Sequence, residues 1–257
     1  MAREYAWRGL VGVLAPQGNT TVEPEFAILL PPGFGLINAR MVSAAPSLTE
    51  RLREYVERLS DWAAEFAEAP IGVLAMACTG ASYPLGPARE SELLAGLSDR
   101  IGVPAISTGQ AVLTGLEALG ARRVALVSPY PADLTRASIG YWQGGGLDVV
   151  RVVEARAASP SAHPLYGVTG ADALEALRQL EGDTGFDAVI MLGTGAPTLR
   201  PILEQPRASG APVLSCNLAL AWRSVLAIEG AAPSADNLLA WIDRPEWAER
   251  LRARLVP

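Results

Sequence analysis

The sequence predicts an α/β fold of two pseudosymmetric lobes, each a short doubly wound parallel sheet flanked by helices. Short apolar segments alternate with segments of helical periodicity, and several are apolar at nearly every position, as strands covered on both faces are. Motifs of the first half of the chain also return in the second half. Parallel strands need crossover connections, and helices on both faces of each sheet supply them.

Eight apolar segments are the predicted strands. They are residues 10–15, 34–42, 71–77, 103–107, 124–128, 147–153, 187–192 and 212–215. Residues 48–69 carry Leu52, Tyr55 and Trp62 at helical spacing, which predicts an amphipathic helical segment. Residues 235–257 are predicted to be a helical ending, interrupted at Pro245, that serves packing.

Three segments of the first half recur in the second. MACTGAS at 76–82 recurs as MLGTGAP at 191–197, VGVLAPQ at 11–17 recurs as VALVSPY at 124–130, and residues 103–119 align with residues 211–227. Two similar βαβ halves imply two lobes related by a pseudo-twofold axis. We assign residues 1–115 together with 229–257 to the first lobe, and residues 116–228 to the second.

The composition indicates a globular protein that binds small molecules. The chain has 257 residues, of which 50% are hydrophobic and 19% are charged, and its net charge is −6. The arginines are dispersed among acidic residues, so we expect no nucleic-acid partner. No run of eighteen apolar residues and no signal peptide is recognisable, so we expect no membrane partner and a cytoplasmic location. Association into a homo-oligomer is left open.

Missing residue types exclude several classes of enzyme. All 21 basic residues are arginine, so the chain offers no lysine for a pyridoxal Schiff base or a P-loop. His163 is the one histidine, and the sequence has no GxSxG elbow, which disfavours a Ser-His-Asp triad. The two cysteines, Cys78 and Cys216, lack metal-site spacing, so we expect no metal and two free thiols. A thiol in a cleft then becomes the candidate for chemistry.

The cleft between the lobes is the expected ligand site, because open parallel sheets bind ligands beyond the carboxyl ends of their strands. The candidates at these ends are Gln17, Asn19, Cys78, Thr79, Gly80, Ser82 and Thr108 from the first half, and Tyr130, Gly193, Thr194, Gly195, Cys216 and Asn217 from the second. Thr79, Thr194 and the neighbouring glycines are interpreted as hydroxyl and amide donors to a carboxylate.

Four of these residues have two interpretations each. Cys78 is either a reactive thiol beside backbone amides or an inert, buried cysteine. Asn19 either orients a carboxylate or holds a turn. Tyr130 either donates a hydrogen bond to the ligand or is a half-buried aromatic residue. Cys216 either takes part in chemistry or fills space where a strand enters a helix.

Glu23 and Glu25 form a carboxylate pair that could in principle supply an acid and a base. Pro24 between them indicates the first turn of a helix, where negative charges complement the helix dipole. We expect this local role for both residues.

The segments GVLAPQGNTTVEPEF, ACTGAS, VSPY and SCNLALAW resemble the maleate cis-trans isomerase branch of the aspartate/glutamate racemase superfamily, which also contains arylmalonate decarboxylase. The resemblance runs from about residue 8 to residue 228. It implies a cofactor-independent enzyme, with its active site in the interlobe cleft, acting on a small carboxylate or dicarboxylate. In the racemases and maleate isomerase, two cysteines face each other from the two lobes, whereas the decarboxylase has one.

This chain departs from the two-cysteine pattern. Cys78 matches the first position, Gly193 falls on the second and predicts a widened pocket, and Cys216 aligns with Thr108. The favoured hypothesis is cis-trans isomerisation of an enedioate such as maleate through a Cys78 adduct, with Cys216, Tyr130 or water handling a proton. The alternatives are decarboxylation of a substituted malonate with Cys78 as the single proton donor, and a protein that binds a carboxylate without converting it.

Overall fold

Two β-sheets form the framework of the protein in a computed structural model that describes residues 4–158 and 165–255. The first sheet consists of β1 (Gly9–Pro16), β2 (Phe34–Met41), β3 (Val73–Met76) and β4 (Ala105–Ser107). The second consists of β5 (Arg123–Ser128), β6 (Asp148–Glu154), β7 (Ala188–Met191), β8 (Arg207–Ala208) and β9 (Ala211–Ser215). All eight predicted strands are present, with small shifts at their ends. His163 lies outside the described residues.

The order of the strands repeats between the two sheets. The first sheet has the order β2-β1-β3-β4, and the second has the order β6-β5-β7-β9-β8. Apart from β8, which pairs antiparallel with β9, every pairing is parallel and the two orders are the same. The two-residue strand β8 was not predicted, because so short a segment carries no periodicity. The repeated motifs therefore correspond to a repeated topology.

Helices connect the strands and cover the sheets. They are α1 (Val22–Leu29), α2 (Leu48–Glu57), α3 (Leu59–Ala64), α4 (Thr79–Ser82), α5 (Pro87–Ile101), α6 (Thr108–Ala118), α7 (Ala132–Gly144), α8 (Gly170–Arg178), α9 (Leu199–Glu204), α10 (Cys216–Glu229), α11 (Ala235–Asp243) and α12 (Ala248–Arg252). The interruption expected at Pro245 separates α11 from α12.

The helical segment predicted over residues 48–69 is present as two helices, because the chain breaks at Arg58. Arg58 has φ −104° and ψ 18°, and it ends α2 and precedes α3. Its guanidinium lies 4.3 Å from the centre of the Trp62 ring and forms an ion pair with Asp61. Tyr55 and Trp62 on either side of the break are buried in the same core, so their spacing conceals it.

The alternation of side chains along β1 divides the core in two. Val11 and Val13 belong to a large core that includes strands of both sheets, whereas Leu14 faces a smaller core beside α2 and Cys78. Helices α6 and α10 pack together within the large core. Gly115 on α6 allows β9 and α11 to come close, because a Cβ there would lie 3.2 Å from Leu214 and 3.2 Å from Leu238.

The C-terminal helices contact elements of both halves. Helix α11 packs against α6 and β9, and α12 packs against α9. The Arg250 Nε donates a hydrogen bond to the Ile28 carbonyl at 2.6 Å, which ties α12 to α1. Within the described ranges, none of the helices combines the length and the apolar character needed to cross a membrane.

Candidate active site

A cavity of about 300 Å³ lies where strand ends of the two halves meet. Its wall is formed by Pro16, Gln17, Gly18, Asn19, Leu48, Arg51, Leu52, Tyr55, Cys78, Thr79, Gly80, Tyr130, Leu165, Tyr166 and Thr194. Seven of the predicted site residues are among them: Gln17, Asn19, Cys78, Thr79, Gly80, Tyr130 and Thr194. Both halves of the repeat therefore contribute to one cavity.

Cys78 follows strand β3 and precedes the short helix α4, so its thiol lies at the floor of the cavity with 5% of the residue exposed. Burial raises the pKa of the thiol to about 12, and the backbone amides of Ala81 and Gly80 act in the opposite direction. The negative charge of Glu90 adds to the upward shift. The thiol is therefore protonated at neutral pH in this state, and the amides are placed to stabilise negative charge when it forms.

Asn19 holds a turn and also links the two halves. Its Oδ1 accepts hydrogen bonds from the backbone amides of Thr21 at 2.9 Å and Val22 at 3.1 Å. Its Nδ2 donates to Thr194 Oγ1 at 3.2 Å, and Thr194 Oγ1 donates to the Ala77 carbonyl at 2.9 Å. The structure thus supports the turn interpretation, while the Asn19 amide also lies on the cavity wall.

Tyr130 occupies the space beside Gly193. The residue is buried, and burial raises the pKa of its phenol well above the ordinary value, so the hydroxyl stays protonated. A Cβ at Gly193 would lie 3.4 Å from this hydroxyl, 3.4 Å from Leu165 and 3.0 Å from Pro129. Gly193 itself does not line the cavity, so the expected widening of the pocket at this glycine is wrong, and Pro129, Tyr130 and Leu165 lie next to it instead.

Cys216 does not line the cavity. It is the first residue of α10, is fully buried, and has the Thr79 hydroxyl and the Gly193 amide beside its thiol. Burial raises the pKa of the Cys216 thiol to about 11, and these two neighbours act in the opposite direction. Ser215 caps the helix, since its Oγ accepts a hydrogen bond from the Leu218 amide at 3.3 Å. Thr79, which lines the cavity, is therefore next to the Cys216 thiol.

Three further candidates lie behind the wall. Ser82 is fully buried, and the Thr108 hydroxyl donates to a backbone carbonyl of β3 at 3.0 Å. Gly195 gives room to an aromatic ring, because a Cβ there would lie 2.6 Å from Tyr166. Gly18 in the first half has the same role, with a distance of 3.1 Å to the same ring. Two glycines, one from each half, thus accommodate one tyrosine.

Glu25 lies in the first turn of α1, as expected, but its carboxylate reaches the second half. It accepts hydrogen bonds from the backbone amides of Thr198 at 2.6 Å and Leu199 at 3.2 Å, at the start of α9. Asn217, which does not line the cavity, donates its Nδ2 to Glu25 at 2.7 Å. Burial raises the pKa of Glu25 against these hydrogen bonds. Glu23 instead pairs with Arg40.

Sequence reasoning missed one wall of the cavity. Leu48, Arg51, Leu52 and Tyr55 of α2 lie there. Their spacing of three and four residues places them on one helix face, a signal that was interpreted only as core packing. Tyr166 carried no recognisable signal. Among residues 4–158 and 165–255, no group of three or more His, Cys, Asp or Glu is arranged to hold a metal ion.

The chain is similar to two kinds of known enzyme. It matches the family model described as arylmalonate decarboxylase over residues 11–239. A maleate isomerase from Nocardia farcinica is 28% identical over 243 residues, covering 89% of this chain and 94% of the relative. An arylmalonate decarboxylase from Bordetella bronchiseptica is 25% identical over 232 residues, covering 81% of this chain and 92% of the relative.

A solved structure supports the same relationship. A variant of the Nocardia farcinica maleate cis-trans isomerase with a covalently bound succinylcysteine intermediate has a TM-score of 0.74 and is 25% identical, covering 87% of this chain and 93% of that one. The family model spans most of the chain, from strand β1 to helix α11. The protein therefore belongs to the arylmalonate decarboxylase family.

Proposed function

We propose that this protein catalyses the cis-trans isomerisation of a small cis-enedioate such as maleate through a covalent adduct with Cys78. The observation that carries the proposal is the position of Cys78 at the floor of a cavity shared by both halves, beside the amides of Gly80 and Ala81. In the Nocardia farcinica variant a cysteine is joined to a succinyl group, which has the same carbon–sulfur bond as this adduct and carries an added proton at the neighbouring carbon.

The atoms and electrons of this isomerisation balance without a cofactor. The Cys78 sulfur adds to one alkene carbon, and the π-electron pair moves onto the neighbouring carbon and its carboxylate as an enediolate. The thiol proton passes to a substrate carboxylate. The former double bond is now single, so the two ends rotate. The electron pair then restores the double bond, the carbon–sulfur bond breaks, and the proton returns to sulfur.

Tyr130 is the proposed donor to the enediolate. It lines the cavity, and its raised phenol pKa keeps the donating proton in place. Cys216 does not line the cavity and its thiol is beside Thr79 and Gly193, so we assign it no contact with the substrate. A single thiol is sufficient for this reaction, because rotation takes place in the enediolate before any proton is added to carbon.

Decarboxylation of a substituted malonate is the second candidate, and one observation favours it. Burial raises the Cys78 pKa to about 12, which keeps the thiol in the form that delivers a proton. In this reaction the bond to carbon dioxide breaks, its electron pair forms an enediolate, and the Cys78 thiol protonates the carbon. The thiolate then regains a proton from water. Leu48, Leu52 and Leu165 offer an apolar wall for the malonate substituent.

Proton NMR in D₂O distinguishes these candidates. The purified protein is incubated with maleate and with substituted malonates, and the Cys78→Ser and Cys216→Ser variants are treated in parallel. Isomerisation predicts fumarate from the unmodified protein and from Cys216→Ser, and none from Cys78→Ser. Because the enediolate is not protonated at carbon, the first fumarate formed should contain no deuterium at its vinyl positions.

Other results would favour the alternatives. A monoacid deuterated at its α-carbon, with no fumarate, would make the protein a decarboxylase. A protein that only binds carboxylates would convert neither substrate, and its Cys78→Ser variant would keep its affinity for them.

A further inference from the structure

Arg51 is the charged side chain on the cavity wall. The other fourteen residues that line the cavity are neutral polar, apolar, or the Cys78 thiol, which is protonated. Among the described residues Arg51 forms no ion pair, whereas Arg53 and Arg58 nearby pair with Glu57 and Asp61. The cavity therefore faces one uncompensated positive charge, which suits an anionic ligand.

Arg51 lies in the outer part of the cavity. Exposure increases along the α2 side of the wall, from 7% for Leu52 to 36% for Leu48, while Cys78 at the floor is 5% exposed. Burial raises the pKa of the Tyr55 and Tyr166 phenols, and the charge of Arg51 acts against this on both. Its guanidinium is therefore close to two aromatic side chains that form the same part of the wall.

The inner and outer parts of the cavity provide different kinds of donor. The inner part offers the Gly80 amide beside the Cys78 thiol and the Tyr130 hydroxyl, and these donors suit the carboxylate next to the reacting carbon. The outer part offers the planar guanidinium of Arg51, which can bind a carboxylate through two parallel hydrogen bonds. Leu48 and Leu52 exclude part of the surrounding water, which strengthens such a contact.

We propose that Arg51 binds the substrate carboxylate that lies farther from the backbone amides beside Cys78, and that it makes the site selective for dianions over monoanions. The inference rests on the proposed function only in requiring a dicarboxylate substrate. Arg51 is a specificity residue in this scheme, because it contacts the substrate without exchanging a bond or a proton with it.

Binding of saturated, non-reacting ligands tests the proposal by calorimetry. Succinate carries two carboxylates, and its monoamide, succinamate, replaces one of them by a neutral group. For Arg51→Gln, the preference for succinate over succinamate should fall roughly 10- to 100-fold, the range of a charged hydrogen bond. Arg51→Lys should recover part of this preference, because it keeps the charge but loses the two-pronged geometry.

Arg53→Gln is the matched control. Arg53 is on the same helix and pairs with Glu57, with 66% of its side chain exposed, and it does not line the cavity. This substitution should leave the preference unchanged. An Arg51→Gln variant that weakens both ligands equally, or neither, would overturn the proposal.

The binding assay separates this proposal from the proposed function. If the unmodified protein fails to convert maleate but loses its preference for succinate on Arg51→Gln, the isomerase proposal fails and the role of Arg51 stands. If maleate is converted and the preference does not change, the role of Arg51 fails alone. In the active enzyme, Arg51→Gln should raise KM for maleate roughly 10-fold or more while kcat falls less.

Discussion

The Tyr130 hydroxyl lies 3.4 Å from the point where a side chain at Gly193 would begin. The repeat places Gly193 in the second half at the position where the first half has Cys78. The phenol of Tyr130, from a neighbouring strand end, lies beside this glycine. The two halves share a backbone frame, but the reactive groups that they bring to the cavity differ: a thiol from one and a hydroxyl from the other.

Introducing a second thiol by Gly193→Cys should destabilise the protein. Gly193 has φ +87°, a left-handed conformation that cysteine rarely adopts, and its Cβ would be 3.0 Å from Pro129. We expect Gly193→Cys to lower the free energy of unfolding by about 1–3 kcal/mol, measured by urea denaturation. Gly210→Cys is the control, because φ is +88° there and no atom lies within 4 Å. A smaller loss for Gly193→Cys than for Gly210→Cys would contradict the crowding described here.

Removing the Tyr130 hydroxyl should slow turnover without unfolding the protein. If it donates to the enediolate, Tyr130→Phe should lower kcat by roughly 10²- to 10³-fold, as the loss of one oxyanion donor does. Steady-state kinetics and a thermal melt measure the two effects. A variant with normal kcat would exclude Tyr130 as the donor.

Alkylation of Cys78 should depend steeply on pH. Burial raises the pKa of this thiol to about 12, so the reactive thiolate is scarce at pH 7 and increases about tenfold for each pH unit up to pH 10. Iodoacetamide modification, followed by mass spectrometry in the Cys216→Ser background, measures this dependence. The same protein in urea is the control and should level off near pH 9. A folded-state rate that levels off near pH 8 would contradict the raised pKa.

Glu25 and Asn217 should be coupled in stability. The Glu25 carboxylate now accepts hydrogen bonds from Asn217 and from the Thr198 amide, and Glu25→Gln turns an amide donor towards these donors. Asn217→Asp instead places two carboxylates together. Each single substitution should cost about 1–3 kcal/mol in the free energy of unfolding. In the double variant the new amide at position 25 can donate to the new carboxylate at position 217, so the total loss should be smaller than the sum by about 0.5–3 kcal/mol. Urea denaturation of the four proteins measures this coupling, and strictly additive losses would show that the two side chains act independently.

The order of the elements could be predicted from the sequence because local patterns encode it. Apolar segments marked each strand longer than β8, and the repeated motifs corresponded to the repeated strand order. The candidates on the strand ends of both halves, such as Cys78, Asn19 and Thr194, came together for the same reason.

The remaining features depend on tertiary packing. Arg51 and Tyr55 share a helix face with Leu52, and only the position of α2 over the cavity turns that face into part of the site. Tyr166 reaches the site because glycines from two distant segments leave room for its ring. The break at Arg58 was hidden because helices on both sides of it bury the same core.

Helix α2 supplies four side chains to the cavity, whereas the backbone amides beside the Cys78 thiol come from the segment that follows β3. The groups proposed to carry the chemistry and those proposed to select the substrate therefore lie in separate stretches of the chain. Substitutions at positions 48, 51, 52 and 55 can alter the outer wall while the strand ends that position the thiol stay unchanged. In this protein, substitutions on one face of α2 therefore offer a way to change which carboxylate ligand the cavity accepts without changing the backbone amides beside the thiol.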